Sequence, residues 1–120
     1  MPRLTGPDFI GIQAEDLQTA RAFYGDRLGL PVLQQTPDAV VFDSKPAPFA
    51  VRKPLVDLES AQGKLGWGVA LWFGCDDADA LHEELKAAGL AIAFPPKDGP
   101  FGRYFAFRDP FGYTITVHTA

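Results

Sequence analysis

Apolar positions along the chain alternate between two rhythms. Residues 8–14, Asp-Phe-Ile-Gly-Ile-Gln-Ala, read as a short strand, after which Leu17, Ala20, Tyr24 and Leu28 recur at helical spacing, with Phe23 widening the stripe. Asp16 stands where a helix N-cap oxygen is needed. Gly29 stands where the chain leaves the helix in a left-handed conformation, and Pro31 bars simple continuation. Strand candidates follow at residues 32–35, 39–43 and 48–52, so the first half predicts β-α-β-β-β.

The second half repeats the plan at an offset of 60. Phe9 to Ala14 aligns with Val69 to Gly74, Asp16 with Asp76 as a second N-cap, and Gly29-Leu30 with Gly89-Leu90. Ala78, Leu81, Leu85 and Ala88 form the second helical stripe, and strands are expected at 91–94, 103–107 and 113–118. The prediction is one domain over residues 1–120, with module one at about 7–53, a linker at about 54–66 and module two at about 67–118. Lys97-Asp-Gly-Pro100 reads as a further loop.

The run from Arg103 to His118 is the most specific in the chain. Asp109-Pro110-Phe111-Gly112 lies between two aromatic and β-branched segments. Asp at the first position bonds forward to the backbone, Pro presets φ at the second, and Gly eases the exit of a type I turn. A hairpin over roughly 102–118 is expected. Phe107-Arg-Asp-Pro-Phe-Gly-Tyr113 resembles the terminal hairpin of the glyoxalase, bleomycin-resistance and dioxygenase superfamily, the vicinal oxygen chelate fold. With the repeat, the resemblance runs from Phe9 to His118. It implies an α+β fold of two tandem β-α-β-β-β modules, a curved mixed sheet around a concave pocket with helices outside. It also implies a homodimer.

Composition narrows the partners. A net charge of −4 with Lys and Arg scattered disfavours nucleic acid, which needs a concentrated basic face. The acidic balance would suit a cationic ligand, although net charge alone says little about ligands. Cys75 is the only cysteine, so neither an internal disulfide nor a cysteine zinc cluster is available. The first residues lack the apolar core of a signal peptide, and no run approaches the roughly 20 apolar residues of a membrane span. A soluble cytoplasmic protein is expected.

Enzymes of the family hold a divalent metal with His, Glu or Gln on the first and fourth strands of each module. Carried onto this chain, those positions fall at Phe9, Val69, Thr116 and, within a residue or two, Arg52. Phe and Val have no donor, Thr is a poor one and Arg is a fixed cation. No metal and no other cofactor is therefore expected, and catalytic residues are not assigned. His82 reads as a partly solvated helix residue, and His118 as either an exposed strand end or a side chain at the pocket mouth. Cys75 reads as structural, since Asp76 and Asp77 oppose thiolate formation, and the acidic cluster there complements the helix dipole.

Strand alternation then sorts a ligand-binding set. Phe9 and Gln13 share one face, Val69 shares one with Trp67, Leu71 and Phe73 while Trp72 goes under a helix, and Thr116 shares one with His118. Trp67 offers a stacking surface or, equally, a core or dimer contact. Phe101 offers an aromatic wall or a hydrophobic plug, Tyr104 faces the cavity, and Phe105 and Phe107 face the core. Arg52, Phe42 and Phe49 complete the set in module one. The expected function is metal-free binding or sequestration of a small molecule, an antibiotic among the possibilities. The alternatives are a metal-dependent lyase, isomerase or dioxygenase of the superfamily, with metal near His118, and a non-catalytic interaction module.

Overall fold

The computed structural model describes residues 2–119. The chain divides into two compact units, Met1–Ser60 and Ala61–Ala120. Each is a β-α-β-β-β module with one four-stranded mixed sheet, as the repeat predicts.

In module one, β1 (Ile10–Gln13) leads into α1 (Leu17–Ala20), which runs on as a π-helical stretch, Arg21–Arg27. Then come β2 (Val32–Gln35), β3 (Ala39–Phe42) and β4 (Phe49–Arg52). The sheet order is β1-β4-β3-β2, with β1 and β4 parallel and the remaining pairs antiparallel. Asp16 caps α1 as expected, its Oδ1 accepting from the Gln18 and Thr19 amides at 3.0 Å. In module two, β5 (Leu71–Gly74), α2 (Ala78–Ala87), β6 (Ile92–Gly99), β7 (Gly102–Arg108) and β8 (Thr114–Thr119) give the order β5-β8-β7-β6. No helix among the described residues is long and apolar enough to cross a membrane.

The repeat is real, but its register changes within the helix. The cap of α2 is Asp77, whose Oδ1 accepts from the Ala80 amide at 3.0 Å, and not Asp76. Ile10 opens β1 and Leu71 opens β5, so strands and caps repeat at an offset of 61, whereas Gly29 and Gly89 are 60 apart. The π-helical stretch accounts for the difference. The Leu28 amide donates to the Phe23 carbonyl five residues back, which absorbs one extra residue before Gly29. Both glycines then take positive φ, 83° and 79°, and close their helices.

One face of each sheet is buried beneath its helix. In module one Tyr24 on the helix meets Phe49 at 4.9 Å and Phe42 at 6.1 Å between ring centroids, over a floor of Ile12, Val40 and Val51. In module two Leu85 and Ala78 of α2 cover buried Phe105, Phe107, Ile115 and Val117. His82 corrects the expectation of a partly solvated residue, because it is buried with its ring edge-on to Phe105 at 5.4 Å. Ala78, His82 and Leu85 form the inward stripe, and the imidazole adds an apolar body to it.

The β7–β8 hairpin forms as predicted. The buried Asp109 accepts from the Phe111 and Tyr113 amides, both at 2.9 Å, and Gly112 takes φ +100°. The expected loop at Lys97–Pro100 is different. Lys97, Asp98 and Gly99 continue β6, paired with Tyr104, Arg103 and Gly102, so the hairpin tip is Pro100-Phe101. Two register shifts in β6 let the strand keep pairing through Pro95 and Pro96, which lack the amide a regular ladder uses.

Candidate functional site

The face of each sheet turned away from its helix is where the candidate residues divide. In module two, β5 lies beside β8, then β7, then β6. Pairing sets Trp72 against Thr116, Thr116 against Ala106 and Ala106 against Phe94 in one row. The next row runs Gly74, His118, Tyr104 and Lys97. The helix-side residues Leu71, Phe73, Phe105, Phe107, Ile115 and Val117 alternate with these, as a pleated strand requires.

The open face is aromatic. Trp72 stacks on Tyr104 at 5.5 Å and 25°, and meets Phe101 edge-on at 5.9 Å and His118 at 5.6 Å. Phe94 meets Tyr104 edge-on at 5.5 Å. These offset and T-shaped geometries are favoured by the ring quadrupoles. Trp72 stays 43% exposed and Phe101, on the hairpin tip, 65%. His118 Nδ1 lies 3.0 Å from the Phe101 carbonyl, which can only accept, so Nδ1 carries the proton and the tip is tied to β8. Gly99 is required beneath Tyr104, since a Cβ there would lie 2.4 Å from the tyrosine Cε1.

Trp72 was expected beneath a helix and is instead the centre of the exposed cluster. The error follows from the offset of 60, which places Val69 opposite Phe9. The position matching Phe9 is Ala70, directly ahead of β5, and the parity of the whole strand reverses with it. Val69 and Trp67 lie in successive turns before β5 and not on a strand. Trp67 is 81% exposed with the Lys64 ammonium 5.0 Å from its ring centre. Tyr104, Phe101, Thr116 and His118 are brought together, with Trp72 and Phe94 as members that the sequence reading missed.

Module one presents a different face. Phe9, 54% exposed, precedes β1 on the side of Gly11, and Gln13 pairs with Arg52 across β1 and β4. Gln13 Oε1 accepts the Leu55 amide at 2.7 Å, fastening the chain beyond β4. Arg52 Nε donates to the Lys53 carbonyl at 3.2 Å. Phe42 and Phe49 do not line a wall, contrary to expectation. Both are buried with Tyr24 on the helix side, because Phe49 and Val51 alternate inward together with Ile10 and Ile12.

The pairing also fixes the positions that the resemblance assigns to metal ligands. Leu71 pairs with Ile115 as Ile10 pairs with Phe49, so Thr116 corresponds to Ala50 and His118 to Arg52. If Phe9 and Thr116 stand where the resemblance puts them, the repeat places the other two positions at Ala70 and Ala50, in place of Val69 and Arg52. Three carry no donor atom and the fourth only a neutral hydroxyl, which does not fit a divalent ion that needs carboxylate or imidazole. Among the described residues no group of three His, Cys, Asp or Glu side chains is placed to hold a metal. The surroundings of Cys75 disfavour its thiolate. Burial pushes its pKa up, the Asp77 amide hydrogen bond opposes this, and Asp76, 3.6 Å from Sγ, adds to the rise.

Comparison with known proteins supports the architecture over nearly the whole chain. No curated protein matches it. A glyoxalase-related enzyme from Fulvimarina pelagi superposes with a TM-score of 0.72 at 21% identity, covering 98% of this chain and 89% of that one. The bleomycin-binding protein from bleomycin-producing Streptomyces verticillus, solved with copper(II)-bleomycin, gives 0.68 at 22% identity over 100% and 99%. A lactoylglutathione lyase from Agrobacterium tumefaciens gives 0.71 at 21% identity over 98% and 96%. A family model matches residues 6–117, and the chain belongs to the Glyoxalase/Bleomycin resistance protein/Dioxygenase superfamily.

Proposed function

We propose that this protein is a metal-free small-molecule binder of the superfamily, holding its ligand on the open face of module two. The fold does not choose between binding and catalysis, since both a bleomycin-binding protein and a lyase share it. The observation that carries the reading is a coincidence of two features. The ligand positions carry no strong metal donor, while the neighbouring strands and hairpin tip carry a cluster in which Trp72 and Phe101 are exposed and Tyr104 and His118 are half-buried. An exposed aromatic cluster with few polar groups is the composition of a ligand site rather than of an ordinary solvated surface. Sequestration needs nothing more than that. By the same reading the protein is a homodimer, of mass twice the 13.0 kDa chain by light scattering.

The test uses Trp67→Phe protein, in which Trp72 is the single indole. Titration with planar aromatic compounds in EDTA is expected to quench or shift Trp72 emission, and Trp72→Phe is expected to weaken binding measured by calorimetry. Stoichiometric nickel, zinc, manganese or iron in the purified protein, with binding lost on chelation, would overturn the reading in favour of a metal-dependent enzyme.

A further inference from the structure

The charge of the module-two face runs against that of the chain. The protein has 15 Asp and Glu against 11 Lys and Arg. Yet the strand residues of the open face include Lys97 and Arg108 and no carboxylate. Asp98 lies on the opposite side, opposite Arg103, and Arg103 itself is engaged there. Its guanidinium donates to both oxygens of Asp79 at 3.1 and 3.3 Å and to Asp98 at 3.4 Å.

Lys97 is held differently. Its ammonium sits 4.5 Å from the Phe94 ring centre and 5.4 Å from that of Tyr104, and among the described residues no carboxylate lies within ion-pair distance of it. Ring faces attract a cation without neutralising its charge. Lys97 is thus a positive group fixed beside Tyr104, which stacks on the exposed Trp72. The Lys97–Tyr104 and Tyr104–Trp72 distances of 5.4 and 5.5 Å together keep the ammonium within about 11 Å of the Trp72 ring centre, within reach of an acid group on a two- or three-ring molecule.

We propose that this face takes a planar aromatic anion, a fused or linked ring system lying against Trp72 and Phe101 with its carboxylate or phenolate at Lys97. This rests on the reading of the face as a ligand site and adds the ligand's charge. It reverses the inference from net charge, because a ligand responds to the local field more than to the chain's total.

Three probes of one shape separate the two claims: 2-naphthoate, 2-naphthylmethanol and 2-naphthylmethylammonium, titrated by calorimetry into the full chain at low salt. Naphthoate is expected to bind at least tenfold tighter than the alcohol, and the ammonium most weakly. Lys97→Glu is expected to remove the preference and Lys97→Arg to keep it. Arg108→Ala is expected to weaken naphthoate less than Lys97→Glu does. Equal binding of all three probes, still dependent on Trp72, would overturn the anion proposal and leave the site standing. Binding of none, or binding indifferent to Trp72→Ala, would overturn both. A naphthoate preference that survives Lys97→Glu would overturn the role of Lys97.

Discussion

In module one the strand positions turned away from the helix are Gly11, Ala39, Val41 and Ala50, with Gln13 paired to Arg52. The corresponding positions of module two are Trp72, Tyr104, Ala106 and Thr116, with Gly74 paired to His118. Beneath these faces the modules agree. Each has an Asp-capped helix closed by a left-handed glycine, and each buries aromatic and branched residues between helix and sheet. The helix-side positions and the turns therefore specify the frame, and the open face is left to vary with function. One module keeps small and aliphatic side chains at the centre of this face, with Phe9, Gln13 and Arg52 at its ends, and the other builds a ring cluster, although the backbone plan is the same.

If that division holds, damage to the shared frame should cost stability in either module. Phe49→Ala and Phe105→Ala are each expected to lose about 3–5 kcal/mol in urea unfolding, from lost burial plus the cavity left behind. A cost below about 1 kcal/mol at either would show that one module does not depend on its core. Next comes Asp109→Ala, which strips two amide donors of a buried acceptor and is expected to cost about 3 kcal/mol. Asp109→Asn keeps an acceptor oxygen in place and should cost less.

The open face should respond differently. Gly99→Ala forces the Tyr104 ring aside, so the near-ultraviolet circular dichroism of the Trp72–Tyr104 pair is expected to change while far-ultraviolet spectra do not. An unchanged aromatic spectrum would show that the ring is not seated on Gly99. Phe101→Ala removes an exposed ring and is expected to move stability by no more than about 0.5 kcal/mol while weakening ligand binding. The smallest effect concerns Cys75, which occupies the place of Ala14. Its raised pKa leaves less thiolate at a given pH, so native protein should react with iodoacetamide at pH 8 more slowly than urea-unfolded protein. Faster native reaction would contradict the burial argument.

Much of the frame was legible because local chemistry dictates it. Asp16 and its two amides, Gly29, Gly89 and the Asp109–Gly112 turn need only their own few residues. What was lost depends on parity. One residue absorbed in the π-helical stretch moves the repeat from 61 to 60. A hydrophobic stripe tolerates that insertion, but a strand reads it as a change of face. Trp72 was therefore assigned to the helix side, and Val69 stood in for Ala70. Phe42 and Phe49 were assigned to a wall, although the alternation of Phe49 and Val51 already pointed toward Tyr24. Lys97 was hidden for another reason. Its neighbours Asp98, Gly99 and Pro100 carry loop chemistry, and only pairing with Tyr104 shows it to be part of a strand.

The most direct test is a ¹⁵N-resolved titration of the labelled protein with 2-naphthoate in EDTA. The account predicts saturable shifts centred on the Trp72 indole and on the amides of Phe101, Tyr104, Thr116 and His118, with Gly11 and Val41 unmoved. Shifts centred on module one, or a response that appears only when a divalent metal is restored, would contradict it.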